Sequence, residues 1–394
     1  MGRLLLVNIV FMLFFNGLVD YYFYKYFIKK ITKSKVAWIA HWVLDAVFIF
    51  LLIYMFLGVY FNGFFVSPEM YQDFMFIYLL VYIPKCVYMI FTLPALFIRK
   101  SRTKKGIYIF GAFLALVLIL SCLYGATIGK SKLRITESVV YSEKLPREFD
   151  GYRLVHFSDT HVGNLRNDKI LQKILDSINS LHPDLVLFSG DLVHTRTSEA
   201  YKFQEVLGKY SAPDGVYAIL GNHDYGDYYR WANAEDYRKN REDLETFFKD
   251  INWILLNNES DYIHRGSDSI AIIGVENWGE PPFPQYGDLD KALEKVNSAD
   301  FQILLTHNPN HWIEEVQDKT NIDLSLSGHT HAMQLVFNIF GKRISPASLR
   351  YKLWGGLYQF EDQYIYVNEG IGYVLFPFRL GTPSELTVIT LRTK

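Results

Sequence analysis

Two cysteines in 394 residues, Cys86 and Cys122, are too few for a disulfide scaffold. Both lie in apolar stretches, where a free thiol behaves as a small hydrophobe. A disulfide-stapled module is therefore excluded. An excess of either charge is also lacking: 40 basic against 41 acidic residues give a formal net charge of -1. That balance removes the broad positive footprint of a nucleic-acid binder. No internal repeat and no low-complexity tract is present. Charged residues are scarce at 21%, whereas hydrophobic residues reach 50% and aromatics 16%, too apolar for a disordered chain and mildly apolar for a purely soluble one. The length is enough for two or three domains, so the chain is read in pieces.

Four apolar runs occupy the first 130 residues, at 4–27, 37–61, 74–97 and 107–128. Each can cross a hydrocarbon core about 30 Å thick, which takes roughly 20 helical residues. Only Arg3 precedes the first run and no small-residue cleavage site follows it, so it reads as a retained span rather than a signal peptide. Lysines set the orientation. Lys29, Lys30, Lys33 and Lys35 follow the first run, and Arg99, Lys100, Arg102, Lys104 and Lys105 precede the fourth. Both links are expected in the cytoplasm, while the link at 62–72 has no basic residue and carries Glu69. The expectation is an integral protein of the cytoplasmic membrane whose remaining chain, beyond the fourth run, is extracytoplasmic. Lys130, Lys132 and Arg134 oppose that orientation. Asn8, Asn16, Asp20, His41, Asp45 and Lys85 fall within the runs. Ionisable groups in a membrane are costly unless paired, and pairing in a small anchoring bundle accounts for them.

Past residue 135 the pattern changes to short β-rich runs alternating with helical ones. Residues 153–157, 185–188, 216–220, 270–275, 301–306, 324–327, 364–367 and 386–391 read as strands. Residues 170, 171, 174, 175, 178 and 181 are apolar and share one helical face. Strands alternating with helices predict an α/β sheet buried on both faces, with ligands where loops leave the strand ends. Residues 131–147 read as a linker between a membrane domain at 1–130 and an α/β domain at 148–394.

The loops after those strands hold the chemistry. They read Ser158-Asp159-Thr160-His161, Ser189-Gly190-Asp191, Gly221-Asn222-His223-Asp224, Thr306-His307-Asn308 and Ser327-Gly328-His329-Thr330-His331. Five of the eleven histidines are in this set. One Gly-Asp after a strand is usually a turn, but five such loops on the strands of one fold predict convergence at a single edge. Asp, His and Asn donors without thiolates suit divalent Mn, Fe, Zn or Mg rather than a structural zinc site.

In these five blocks the sequence resembles the calcineurin-like metallophosphoesterase superfamily, over residues 148–394 and with closest likeness to its membrane-attached branch. The resemblance implies a four-layer α/β sandwich, here preceded by an all-α bundle of four transmembrane helices. It implies two divalent metal ions: Asp159, His161 and His331 on the first, Asn222, His307 and His329 on the second, and Asp191 bridging both. His223 would then face the substrate as electrostatic stabiliser or general acid. Asp224 would orient it or cap a helix. The implied reaction is hydrolysis of a phosphodiester or pyrophosphate by a hydroxide held between the ions, on a lipid-linked or sugar-nucleotide substrate, with the membrane as partner and no nucleic acid expected. A soluble nucleotide or phosphoprotein phosphatase, or a non-catalytic metal-binding membrane sensor, are the alternatives.

Two positions depart from the family pattern. Many relatives carry an Asp three residues after the bridging one, where this chain has His194, and close relatives often follow the last motif with Gly-Gly-Gln, where this chain has Ala332-Met333-Gln334. His156, His182, His264 and His311 read as structural, and Asn164 as shaping its turn. Residues 336–358 mix aromatic with basic side chains and suit contact with anionic headgroups as well as a solvated loop; residues 278–286 suit a pocket wall.

Overall fold

A computed structural model describes residues 2–60, 68–297 and 300–394. The chain divides into two compact units, Met1–Ala126 with Leu375–Pro377, and Thr127–Val374 with Phe378–Lys394.

In the first unit the apolar runs fold as the helices Gly2–Phe23, Lys35–Tyr60, Pro68–Thr92 and Ser101–Thr127. Among the described residues three spans, Lys35–Gly58, Met70–Phe97 and Ser101–Ser131, are long and apolar enough to cross a membrane. The first run is helical but stands outside that set, and most of the expected outward link, with the end of the second run, lies outside the described residues. The side chain of Asn8 lies outside the described residues; the other polar groups named above have partners. Lys85 Nζ lies 2.5 Å from Asp20 Oδ1 and His41 Nε2 3.9 Å from the same oxygen. Tyr82 donates to Asp45 at 2.8 Å and Tyr78 to Asn16 at 2.7 Å. Pairing removes most of the cost of holding these groups away from water.

The second unit is built on two sheets. The strands are β1 (Leu133–Ser142), β2 (Arg153–Phe157), β3 (Leu185–Phe188), β4 (Val216–Ala218), β5 (Ile254–Leu255), β6 (Glu259–Arg265), β7 (Asp268–Gly274), β8 (Phe301–Leu305), β9 (Leu324–Ser327), β10 (Phe337–Ile339), β11 (Lys342–Ile344), β12 (Gly356–Phe360), β13 (Gln363–Val367) and β14 (Ser384–Thr393). One sheet runs β1-β14-β2-β3-β4-β5, the other β12-β13-β9-β8-β7-β6, and β10 and β11 form a separate hairpin. Strand periodicity sorts the apolar residues between faces. Leu185 and Leu187 of β3 join Ile303 and Leu305 of β8 in the core between the sheets. Val186 and Phe188 point the other way, onto the helix Lys169–Leu181, whose Ile170, Leu171, Ile174, Leu175 and Ile178 are buried there. On the far side of the second sheet Ile273 and Leu304 pack under Trp312 and Val316. The layers are therefore helix, sheet, sheet, helix.

This is the four-layer α/β sandwich that the resemblance implies. The one sheet suggested by periodicity alone is two, because periodicity identifies strands without saying which of them pair. The stretch read as a linker holds a ten-residue strand, β1, in parallel register with β14 from Leu133 opposite Ser384 to Ser142 opposite Thr393. Its inward positions carry Thr136, Ser138 and Ser142 with only Val140 apolar among the last four, while Ile135, Val139 and Tyr141 are exposed. That reversed pattern hides the strand from a reading based on apolar faces.

Candidate metal and catalytic site

Strands β2, β3 and β4 run parallel in the first sheet and β8 and β9 in the second, so their carboxyl ends deliver five loops to one place. The loops are sewn together by their own backbone. Asp159 N–H donates to Gly190 O at 2.9 Å, His161 N–H to Asp191 O at 3.1 Å and Gly328 N–H to His307 O at 3.0 Å. Across the gap between sheets His329 N–H donates to Asp159 Oδ2 at 2.9 Å. Gly190 has φ +96°, and a Cβ there would lie 2.5 Å from Gly221 N; only glycine allows the two loops to pass so closely. Asp159, His161, Asp191, His329 and His331 all hold left-handed backbone, with φ from 41° to 71°. Such conformations cost non-glycine residues about 1–2 kcal/mol each and persist where the surroundings fix them, which is usual of functional sites.

The side chains converge on one buried cluster. Asp159, His161 and His331 place ligand atoms within 4.8 Å of one another, as do Asp159, Asp191 and His307. His161 Nε2 is 3.0 Å from His331 Nε2 and 3.5 Å from Asp191 Oδ2, and His307 Nε2 is 3.2 Å from Asp191 Oδ2. Asp159 belongs to both groups, and Asp191, a member of the second, also lies within 3.5 Å of His161 in the first. His329 stands beside them, its ring 5.1 Å from that of His307 and its Nε2 3.0 Å from the Tyr351 hydroxyl.

Two buried atoms test whether this set fits a cation. Asn222 donates its Nδ2 to Tyr228 at 2.9 Å, and its Oδ1 is buried with no hydrogen-bond partner. His307 donates its Nδ1–H to Ser189 O at 2.7 Å, and its buried Nε2 makes no hydrogen bond, lying 3.2 Å from Asp191 Oδ2. Leaving such atoms buried and unsatisfied is costly, and a divalent ion would satisfy both. The residues present fit a metal.

Electrostatics agree with a site built for positive charge. Burial alone would raise the carboxyls of Asp159 and Asp191, but His331 and His307 respectively outweigh it and hold both well below the usual range. His307 is driven down by burial and up by the Asp191 and Asp159 charges, and ends at about 9. Burial and then neighbouring imidazoles push His161 far down, and His329 to about 3.

His223 is held differently. Its N–H donates to Asp191 Oδ1 at 2.8 Å and its Nδ1–H to His194 O at 2.6 Å, so Nε2 is the nitrogen left to face a substrate. Half-buried, it packs between His161 and Tyr228. Beside Asn222 and Tyr228 opens a cavity of about 460 Å³ that Asn277 also lines, with Phe283 and Pro284 from the stretch expected to form a pocket wall.

Several assignments change with the structure in hand. Asp224 neither orients His223 nor caps a helix. Its buried carboxylate accepts from Gly221 N and Asp191 N at 2.9 and 2.8 Å and from Val193 N at 3.0 Å, clamping the β3 and β4 loops together. Burial, reinforced by the Asp191 charge, raises it to about 7. His194 joins the site: it forms a third group of potential donors with His161 and His223. The Ala332-Met333-Gln334 departure is accommodated by left-handed backbone at all three residues, φ 49°, 45° and 57°, where glycines would carry no strain. Arg379 gave no sequence signal as a site residue, yet it is fully buried with Nη2 3.3 Å from His331 Nδ1. Only the fold reveals that contact, because 48 residues separate the two. Two of the histidines read as structural are tied into the fold: His156 meets Ser189 Oγ at 2.8 Å, and His311 meets Thr306 at 2.8 Å and Glu315 at 3.1 Å. Asn164 shapes its loop by donating to Tyr373 O at 2.6 Å.

A four-layer α/β sandwich with this donor set at the strand ends defines a metal-dependent phosphoric ester hydrolase. Residues 152–333 match the family described as Calcineurin-like phosphoesterase, and residues 3–130 the Probable Calcineurin-like phosphoesterase, transmembrane domain. A Danio rerio "Transmembrane protein with metallophosphoesterase domain" is 30% identical over 311 residues, 75% of this chain and 67% of that protein. The chain belongs to the calcineurin-like phosphoesterase family and is a membrane metallophosphoesterase. The Campylobacter jejuni metallophosphoesterase Cj0846 is 26% identical over 96% of both chains. UDP-2,3-diacylglucosamine pyrophosphatase LpxG of Chlamydia trachomatis is 26% identical over 64% of this chain and 88% of that protein.

Proposed function

We propose that the protein is a dinuclear metal-dependent phosphodiesterase or pyrophosphatase, anchored in the cytoplasmic membrane with its catalytic unit outside, acting on a lipid-linked substrate. The observation that carries the reading is the pair of buried atoms without a hydrogen bond, Asn222 Oδ1 and His307 Nε2, neither of which belongs to the Asp159, His161 and His331 group. Asp159, His161 and His331 would hold one ion, Asn222, His307 and His329 the other, and Asp191 both. When bound, divalent ions supply Lewis-acid charge and lower the pKa of water at neutral pH. The chain's own residues do the rest. Asp191 neutralises part of the paired positive charge. His223, with Nδ1–H committed to His194 O, offers Nε2 to a phosphoryl or leaving-group oxygen and can pass it a proton. The loop clamp at Asp224 keeps Asp191 in fixed register with the loop after β4.

Support for a lipid-linked substrate comes from the membrane helices and from LpxG, whose name gives a diacylated sugar-nucleotide pyrophosphate as its substrate. The outward orientation rests on the lysine-rich links. The test is hydrolysis by the full chain, chelator-stripped and refilled with Mn, on matched phosphomonoester and phosphodiester reporters and a lipid pyrophosphate. Metal-dependent turnover that favours the pyrophosphate or diester is the expected result. Metal binding with no hydrolysis of any of the three would favour the sensor instead, and preference for the monoester would favour a soluble-substrate phosphatase.

A further inference from the structure

The catalytic unit carries an apolar surface that its fold does not cover. The hairpin of β10 and β11 is exposed on all six strand residues. Phe337, Ile339 and Ile344 are each nearly half exposed, Phe340 at the turn is 101% exposed, and Leu349 just beyond is 91% exposed. Leaving a Phe and a Leu fully in water forgoes the burial that normally places them inside, and so many together mark an interaction site. Lys342 and Lys352 are exposed around this patch. Apolar tips ringed by cations are the composition of a segment that sits in the headgroup region of an anionic bilayer.

The remaining basic residues are fixed rather than free. Arg343 pairs with the buried Glu369 and lies over the Trp354 ring, and Arg350 reaches Glu280 at 3.2 Å. They hold the hairpin base rigid. Ser345 Oγ donates to Ala332 O at 2.6 Å, and Tyr351 meets His329 Nε2 at 3.0 Å, so the segment is tied at both ends to the last site loop. A second copy of the chain or a soluble protein could cover an apolar hairpin too. The bilayer is favoured because the last span apolar enough to cross a membrane, Ser101–Ser131, is followed almost at once by β1 at Leu133, so the chain itself tethers this unit to a lipid surface.

We propose that the β10–β11 hairpin is a membrane-docking element: Phe340 and its apolar neighbours enter the interfacial layer of an anionic leaflet while Lys342 and Lys352 meet its phosphates. Docking would present the site loop at His329 and His331 to the lipid surface. The proposal concerns this surface alone and stands whether the substrate is lipid-linked or soluble.

The test uses the full chain with Cys86→Ser and Cys122→Ser, an environment-sensitive dye on Phe340→Cys, and nanodiscs of phosphatidylcholine with phosphatidylglycerol. Nanodiscs with brominated acyl chains report lipid contact. The Phe340→Cys dye should shift to the blue and be quenched at least twofold more than the same dye on Lys239→Cys, an exposed position on the helix Ala234–Asp250. Adding Lys342→Glu and Lys352→Glu should reduce the quenching, as should removing phosphatidylglycerol. Quenching equal to that at Lys239→Cys overturns the proposal. So does a blue shift that ignores brominated lipid and fades on dilution, which would mark a contact between copies. Turnover of the labelled chain on a soluble reporter verifies the fold independently.

Discussion

Nδ1 of His194 lies 3.5 Å from Nδ1 of His161, with the two rings crossing at 75°. At that separation a weak hydrogen bond forms when one nitrogen carries the proton and the other accepts it. His161 turns Nε2 toward Asp159, Asp191 and His331, so in a metal complex its Nδ1–H is the donor and His194 the acceptor. A neutral imidazole thus stands where many relatives place a carboxylate, and it orients the ligand without adding negative charge.

His194→Ala should therefore weaken metal retention by about 10–100-fold, the usual effect of removing a partner that orients a ligand. His194→Asp should restore it. Metal content after equilibration against a graded chelator reads this directly. Equal retention by all three proteins would show that His161 needs no partner.

Asp191→Asn should reduce kcat by at least about a thousandfold, roughly 4 kcal/mol of barrier, with the thermal unfolding midpoint little changed. The amide keeps one oxygen for the His223 N–H, which now binds at 2.8 Å, but loses the charge that faces both His161 and His307. Substantial residual turnover would remove the bridging role.

Asp224 is expected to matter for folding before chemistry. Its two oxygens accept three buried N–H groups, and an Asn would turn an NH2 toward at least one of them. Stranding a buried donor costs about 1–3 kcal/mol, so Asp224→Asn should lower the unfolding midpoint measurably. If instead stability were unchanged and only turnover fell, the side chain would be acting through His223 after all.

How legible the site was depends on the distance in sequence over which each feature is decided. The five loops follow strands whose apolar runs are local, so Asp159, His161, Asp191, Asn222, His223, His307, His329 and His331 could be picked out without coordinates. Strand β1 could not, because its partner is 250 residues away and its outer face carries Ile135, Val139 and Tyr141. The clamp made by Asp224 was equally hidden: its acceptors' partners lie on a loop some 30 residues earlier, and a lone Asp after His offers no sign of that. His194 was visible as a departure, but its role required knowing which nitrogen of His161 it faces.

The edge strand β1 also carries the pH dependence expected of the catalytic unit. Arg134 on this strand reaches Glu369 at 3.0 Å and Glu385 at 3.2 Å, and Thr382 donates to Glu369 at 2.6 Å. Burial would raise the Glu369 carboxyl, but Arg134, Thr382 and Arg343 together hold it below its ordinary value of 4.5. A carboxyl whose folded pKa is depressed stabilises the fold above its unfolded pKa, and that contribution is lost as pH falls through the folded value. Thermal unfolding of the full chain in detergent should thus show an acid limb beginning near pH 4.5 and deepening below it. Arg134→Ala should cost about 2 kcal/mol at pH 7, less than the ~3–5 expected for breaking an isolated buried pair, since Arg343 remains. Glu369→Gln should make the acid limb shallower. An acid limb of the same depth in Glu369→Gln would assign the dependence to other carboxyls.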